Sequence, residues 1–377
     1  MEFADQTGLS SSEKAPRRYL WTDAFAVCNL LEIHRQTGDE KYKNLALRLV
    51  DQVHDVLGRH REDDPRTGWI SGLEEDEGKK HPTKGGLRIG KKMNERRPGD
   101  RLDDELEWDR DGQYYHYLTK WMHALNGVSR ITGDSTYNIW AMELAKTIHA
   151  RFTYDPTSGG QKRMYWKMSI DLSYPLVPSM GHHDPLDGFI TYSQLQATAT
   201  KYSERSTGLD LHAEIADMAN ICKGKSWVTD DPLGIGELLG SAYKAGQLIV
   251  SGYLEQTALL EVLVGSSLPG LDSYGRKNPL RVPADYRLAF RELGLSIGLR
   301  AVERLERLIE ENPRLFNKKL PLHSQIKRLM QYRSFSEIIE MFWLEDANQE
   351  ADSWIAHRDI NRVMLATSLA PDGYLTL

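Results

Sequence analysis

Just past Trp21 the chain reads AFAVCNLLEIHRQ, with apolar side chains returning every three or four positions, a spacing that predicts a helix with one apolar face. The pattern breaks at TGDEKY and resumes in KNLALRLVDQVHDVLGRH as a second helix. Gly38 is placed to end the first helix and Asp39 to cap the next. The same succession returns downstream as YYHYLTKWMHALNGVSRI, TGDSTY and NIWAMELAKTIHARF. Thr37-Gly38-Asp39 matches Thr132-Gly133-Asp134, Tyr42 matches Tyr137, Ala46 matches Ala141 and His54 matches His149, all at a constant offset of 95 positions. Each unit then reaches Asp-Pro (64–65, 155–156) and a glycine (68, 159). A third, looser copy runs through ITYSQLQATATKYSER, STGLD and LHAEIADMANICKG. A repeat that keeps turn, caps and following loop together predicts stacked helical hairpins.

Helical spacing continues through GELLGSAYKAGQLIV, YRLAFRELGLSIGLRAVERLERLIEE, SQIKRLMQYRSFSEIIEMFW and WIAHRDINRVMLATSLA. Strand signals are confined to 163–170 and 85–90. The pattern predicts one all-α domain over 17–377 with about ten to twelve helices. It leaves 1–16 as an N-terminal tail and 81–104 as an inserted, lid-like loop. The repeated helix–TGD-x-x-Y–helix unit resembles the (α/α)6 toroids of the six-hairpin glycosidases and the N-acylglucosamine 2-epimerase superfamily. The resemblance spans roughly 17–370 and implies an (α/α)6 barrel with inner and outer helices alternating. It also implies a substrate cleft at one mouth, formed by inner-helix starts and the loops entering them.

Charge narrows the partners. A net charge of −6 and a pI near 6.1 give no reason to expect nucleic acid or an anionic membrane. Cys28 and Cys222 are too few for a disulfide framework. The N-terminal stretch lacks an apolar signal core, and no run of about 18 apolar residues occurs. A cytoplasmic location is the expectation, with no cofactor. Tyr and Trp (17 and 9) outweigh Phe (8), favouring rings with a polar handle.

Those rings concentrate in ELEWDRDGQYYHYLTKWMHAL (105–125), where the second inner helix starts. Trp108 with Asp109 and Asp111 suits a saccharide: an indole stacks on the sugar ring while carboxyl groups act as acid and base. Trp21 and Asp23 repeat the arrangement at the first inner helix, although Asp23 and Asp111 also suit helix capping. Tyr115 and His116 add ring surface and a titratable group. Arg88 and Lys91, on a Gly-flanked stretch, could anchor an acidic sugar. At the third inner helix Trp166 is followed by His182, His183 and Asp184, whose spacing suits acid–base work or hydroxyl binding better than a metal. Near the chain end Trp354, His357 and Arg358 mark another helix start, expected beside Trp21 in a closed ring. The first expectation is therefore a glycoside hydrolase using Asp109, Asp111 and His183. A sugar epimerase or isomerase with a histidine acid–base pair, or a non-catalytic saccharide-binding protein, are the alternatives.

Overall fold

The computed structural model describes residues 2–10, 15–201, 208–277, 279–316 and 321–377. The chain groups into two compact units, Met1–Lys223 and Gly224–Leu377. In the first unit the helices are α1 (Glu2–Gln6), α2 (Leu20–Thr37), α3 (Glu40–Leu57), α4 (Glu75–Lys80), α5 (Asp104–Asp109), α6 (Tyr115–Thr132), α7 (Thr136–Phe152), α8 (Asp184–Lys201) and α9 (His212–Cys222). The second unit holds α10 (Pro232–Val250), α11 (Thr257–Lys277), α12 (Ala289–Glu311), α13 (Leu322–Leu329), α14 (Ser334–Leu344), α15 (Asp346–Gln349), α16 (Asp352–Ala356), α17 (Arg358–Leu369) and α18 (Asp372–Leu375). Among the described residues no helix is long and apolar enough to cross a membrane.

The repeat is reproduced in the hydrogen bonds of its turns. Gly38 and Gly133 both adopt the left-handed conformation (φ 69° and 73°) that ends a helix without strain only in glycine. The Thr37 and Thr132 hydroxyls each accept the N–H of the following aspartate at 3.2 Å. Asp39 and Asp134 then each accept an N–H two residues on at 2.9 Å, starting the next helix. The third copy's turn falls partly in 202–207, outside the described residues.

Within this unit α2, α6 and α8 pack side by side, with α3, α7 and α9 behind them. The inner helices run parallel. Lys120 meets Asp187, His123 meets Gln194 and Asn126 meets Thr198, an ascending ladder between α6 and α8. These buried polar groups hydrogen-bond to one another, as burial requires.

Short strands brace the loops at the inner-helix starts. β1 (Gln113–Tyr114) pairs with β4 (Lys167–Met168), which pairs with β5 (Pro175–Val177), while β2 (Thr153–Tyr154) pairs with β3 (Arg163–Met164), all antiparallel. The 163–170 strand expectation is met; 85–90 forms no strand.

Two other expectations are corrected. Residues 2–10 are no loose tail: Leu9 is fully buried, and Arg48 and Gln52 of α3 each donate to the Leu9 and Gly8 carbonyls at 3.3 Å. The first half of 81–104 is no lid either. Leu87 and Ile89 are fully buried, Leu20 N–H donates to the Ile89 carbonyl, and Ile89 N–H donates to that of Gly112. Apolar anchors and backbone hydrogen bonds on both sides build this stretch into the wall.

In the second unit α10 and α12 cross at glycines. A Cβ on Gly236 would sit 2.0 Å from the Gly294 carbonyl oxygen, so only glycine permits this approach. Arg287 pairs with Glu292 at 2.6 Å in the first turn of α12, and Trp343 Nε1 donates to the same carboxylate at 2.9 Å.

Candidate active site

A continuous aromatic wall stands where α2, α6 and the β4 loop meet. Trp21 leans on Tyr117 with ring centroids 5.5 Å apart, and the hydroxyls of Tyr19 and Tyr117 are 2.8 Å apart. Tyr114 lies between Tyr117 (5.2 Å) and Trp166 (5.0 Å), and Trp108 meets Trp166 edge-on at 5.5 Å. The β1–β4 pairing sets this geometry by carrying Trp166 to the start of α6. Gln113 locks it: its side-chain oxygen accepts Leu87 N–H, and its nitrogen donates to the Gly85 and Ile170 carbonyls. Trp108 is 55% exposed, so most of its indole is open to solvent.

His116 is the titratable group inside this wall. Its ring stacks near-parallel on Trp166 (10°, 6.3 Å), meets Tyr117 edge-on, and keeps 26% of its side chain open. Its Nδ1 makes no hydrogen bond among the described residues and lies 3.7 Å from Asp184 Oδ1. Enclosure pushes its pKa down to about 4; Lys120 pushes the same way and Asp187 opposes. The ring is therefore neutral at neutral pH. Lys120 and Asp187 form a buried pair at 3.0 Å. His183 immediately precedes Asp184 at the start of α8, with the exposed His182 ring 4.6 Å away.

The acids expected to work as a pair are separated by environment. Asp109 is exposed at the end of α5. Asp111 is fully buried and accepts from Arg61 (3.2 Å), Arg88 (3.0 Å), Gly90 N–H (3.0 Å) and Gly112 N–H (3.1 Å). Its geometry is that of a loop anchor, closed to a substrate. Arg88 is consumed with it, donating also to the Arg59 and Val56 carbonyls. Asp23 is likewise buried, accepting Tyr19 N–H at 2.9 Å beside Arg18. Tyr115 is fully buried and donates to Tyr192 at 2.8 Å. These four positions support the wall from behind.

Trp354, His357 and Arg358 belong to the second unit. Trp354 is core, stacked on Trp343 at 5.5 Å, and His357 meets Phe290 edge-on. Arg358 opens α17, half-buried.

Four wall residues are not singled out by the sequence as site residues: Tyr19, Tyr114, Tyr117 and Lys167. The repeat carried the signal for two of them, because Tyr19 and Tyr114 are 95 positions apart and each immediately precedes its inner helix. Lys167 is fully buried beneath Tyr114, its ammonium 5.2 Å from the ring centroid and 2.9 Å from Glu107. A separate cleft of about 670 Å³ is lined by His81, Lys84, Glu143, Lys146 and neighbours; none of the wall rings lines it.

No family model matches the sequence, and no curated protein matches it. The structure of cellobiose 2-epimerase from Spirochaeta thermophila DSM 6192 aligns with a TM-score of 0.51 at 13% identity, covering 94% of this chain and 86% of that one. The fold is an all-α (α/α)6 barrel. Repeated TGD hairpins implied this architecture. Cellobiose 2-epimerase from Bacillus thermoamylovorans B4167 aligns at 0.49 and 9% identity, over 93% of this chain and 88% of that one. A sugar epimerase from a ruminal bacterium aligns at 0.44 and 8% identity, over 84% and 87%.

Proposed function

We propose that this protein acts on a saccharide, and that the reaction is epimerisation or isomerisation rather than hydrolysis. The observation that carries the reading is His116: neutral, partly open and flanked by Asp184 inside a wall of tyrosine and tryptophan rings. Glycoside cleavage needs two carboxyl groups across one bond. Asp111 is sealed under two arginines, so it does not serve as the second acid beside Asp109. Epimerisation beside a sugar carbonyl needs a different pair. One group takes the proton from the carbon next to the carbonyl, and a second returns a proton to the opposite face. His116 and His183 are the proposed pair. Asp184 would favour the imidazolium that forms on His116, since an opposite charge at 3.7 Å stabilises it. Trp108 and Trp166 would stack on the sugar ring. The likeness in fold to a cellobiose 2-epimerase supports the same direction.

The test is a set of reducing sugars incubated with the protein in D2O. Epimerisation places solvent deuterium on the carbon beside the carbonyl, whereas hydrolysis leaves it unlabelled. His116→Asn and His183→Asn should each slow labelling by roughly 10²–10⁴-fold, while Asp109→Asn should leave it near the wild-type rate. Release of a shorter sugar without labelling would restore the hydrolase reading.

A further inference from the structure

Lys91 is a cation beside the wall whose contact is an aromatic ring and not a carboxylate. Its ammonium lies 5.3 Å from the centroid of the Tyr19 ring, whose hydroxyl meets that of Tyr117. The side chain is half-buried, and among the described residues it forms no hydrogen bond and no ion pair. Four other cations nearby are matched to carboxylates. Lys167 pairs with Glu107 at 2.9 Å, Lys120 with Asp187 at 3.0 Å, and Arg61 and Arg88 share Asp111. Asp109 and Asp111 act on Lys91 only at a distance, and Lys167 repels it. Partial burial costs an ammonium much of its hydration, and a ring face returns only part of that loss. Desolvation accordingly holds the Lys91 pKa below the ordinary lysine value.

We infer that Lys91 is a specificity residue, and that the saccharide taken by this site carries an anionic group, a carboxylate or a phosphate, that binds the Lys91 ammonium. The inference rests on the saccharide reading above and names the substrate class for it. An anion at this point would supply the missing partner and charge-assisted hydrogen bonds to an ammonium with three donors. Nearby hydroxyls of Tyr19 and Tyr117 remain protonated at neutral pH, because burial raises both; Tyr19 reaches about 12. They add no competing negative charge. A neutral sugar would leave the ammonium as it stands, half-desolvated and unpaired.

The test is calorimetric titration of the intact protein with glucose, glucuronate and glucose 6-phosphate, and with the corresponding manno and galacto series. In at least one series an anionic member should bind about tenfold tighter than its neutral counterpart, the worth of one charge-assisted contact. Whether the carboxylate or the phosphate leads identifies the anion. In Lys91→Met that ratio should fall to about one, and in Lys91→Arg it should survive. Thermal melts of both variants, matching the wild type, show that the ratio does not report unfolding. Equal binding of neutral and anionic members overturns the inference and leaves the saccharide site intact. A preference that persists in Lys91→Met overturns it too. Absence of binding by every sugar overturns the saccharide reading itself.

Discussion

His54 accepts the indole N–H of Trp121 through its Nε2 at 3.2 Å, in the core between α3 and α6. That lone pair exists only on the neutral ring, so protonation would break the bond and bury a charge. Desolvation pushes the His54 pKa down to about 3. Above pH 6.5 the ring is neutral folded or unfolded and pH has no effect through it. Between about 6.5 and 3 the unfolded ring binds a proton that the folded ring refuses, so stability falls as pH falls. The slope is about 1.4 kcal/mol per pH unit. Urea unfolding across pH 3–7 should show it, and His54→Gln should flatten the profile. An unchanged slope in the variant would assign the acid sensitivity to other groups.

Asp111→Asn should unfold the protein more readily by roughly 3–5 kcal/mol, because Arg61 and Arg88 would lose the carboxylate that neutralises them. Turnover per folded molecule should stay within a few-fold of wild type, as measured at a temperature where both are folded. A loss of several orders of magnitude with an unchanged melting temperature would return Asp111 to the chemistry.

Gly86→Ala tests the Gln113 lock. Gly86 sits at φ +77°, and a Cβ there would meet the Gln113 amide at 2.0 Å. The substitution should destabilise by roughly 1–3 kcal/mol or more and loosen the loop that carries Lys91. Hydrogen exchange should locate the loss in 85–91. A neutral effect would mean that Gln113 can swing aside without cost.

Trp108→Ala should leave the melting temperature unchanged, since the ring is mostly in solvent. It should weaken saccharide binding about two- to tenfold, the worth of one stacking face. Quenching of tryptophan fluorescence by bound sugar should shrink in the variant. Equal quenching would exclude Trp108 from the site.

The hairpins were legible because their information is local: a TGD turn specifies its own glycine conformation, threonine acceptor and aspartate cap within three residues. Trp108, Trp166 and His116 were legible as site candidates because aromatic and titratable residues gathered at helix starts stand out against a core pattern. The fate of Asp111 was not. Its partners lie 50 and 23 positions upstream, and nothing local distinguishes a carboxylate awaiting a substrate from one awaiting Arg61 and Arg88. Arg88 and Lys91 looked equivalent for the same reason. They are three residues apart in an extended stretch, yet only one finds a carboxylate.

Tyr19 and Tyr114 occupy the same place in successive repeats, and both rest against Tyr117. A lone hairpin would therefore present one tyrosine and nothing for it to face. The wall comes into being only when two neighbours stand shoulder to shoulder in register, so its shape is a property of tandem arrangement. A slip of one helical turn between α2 and α6 would leave every residue in its own helix and still dismantle the surface.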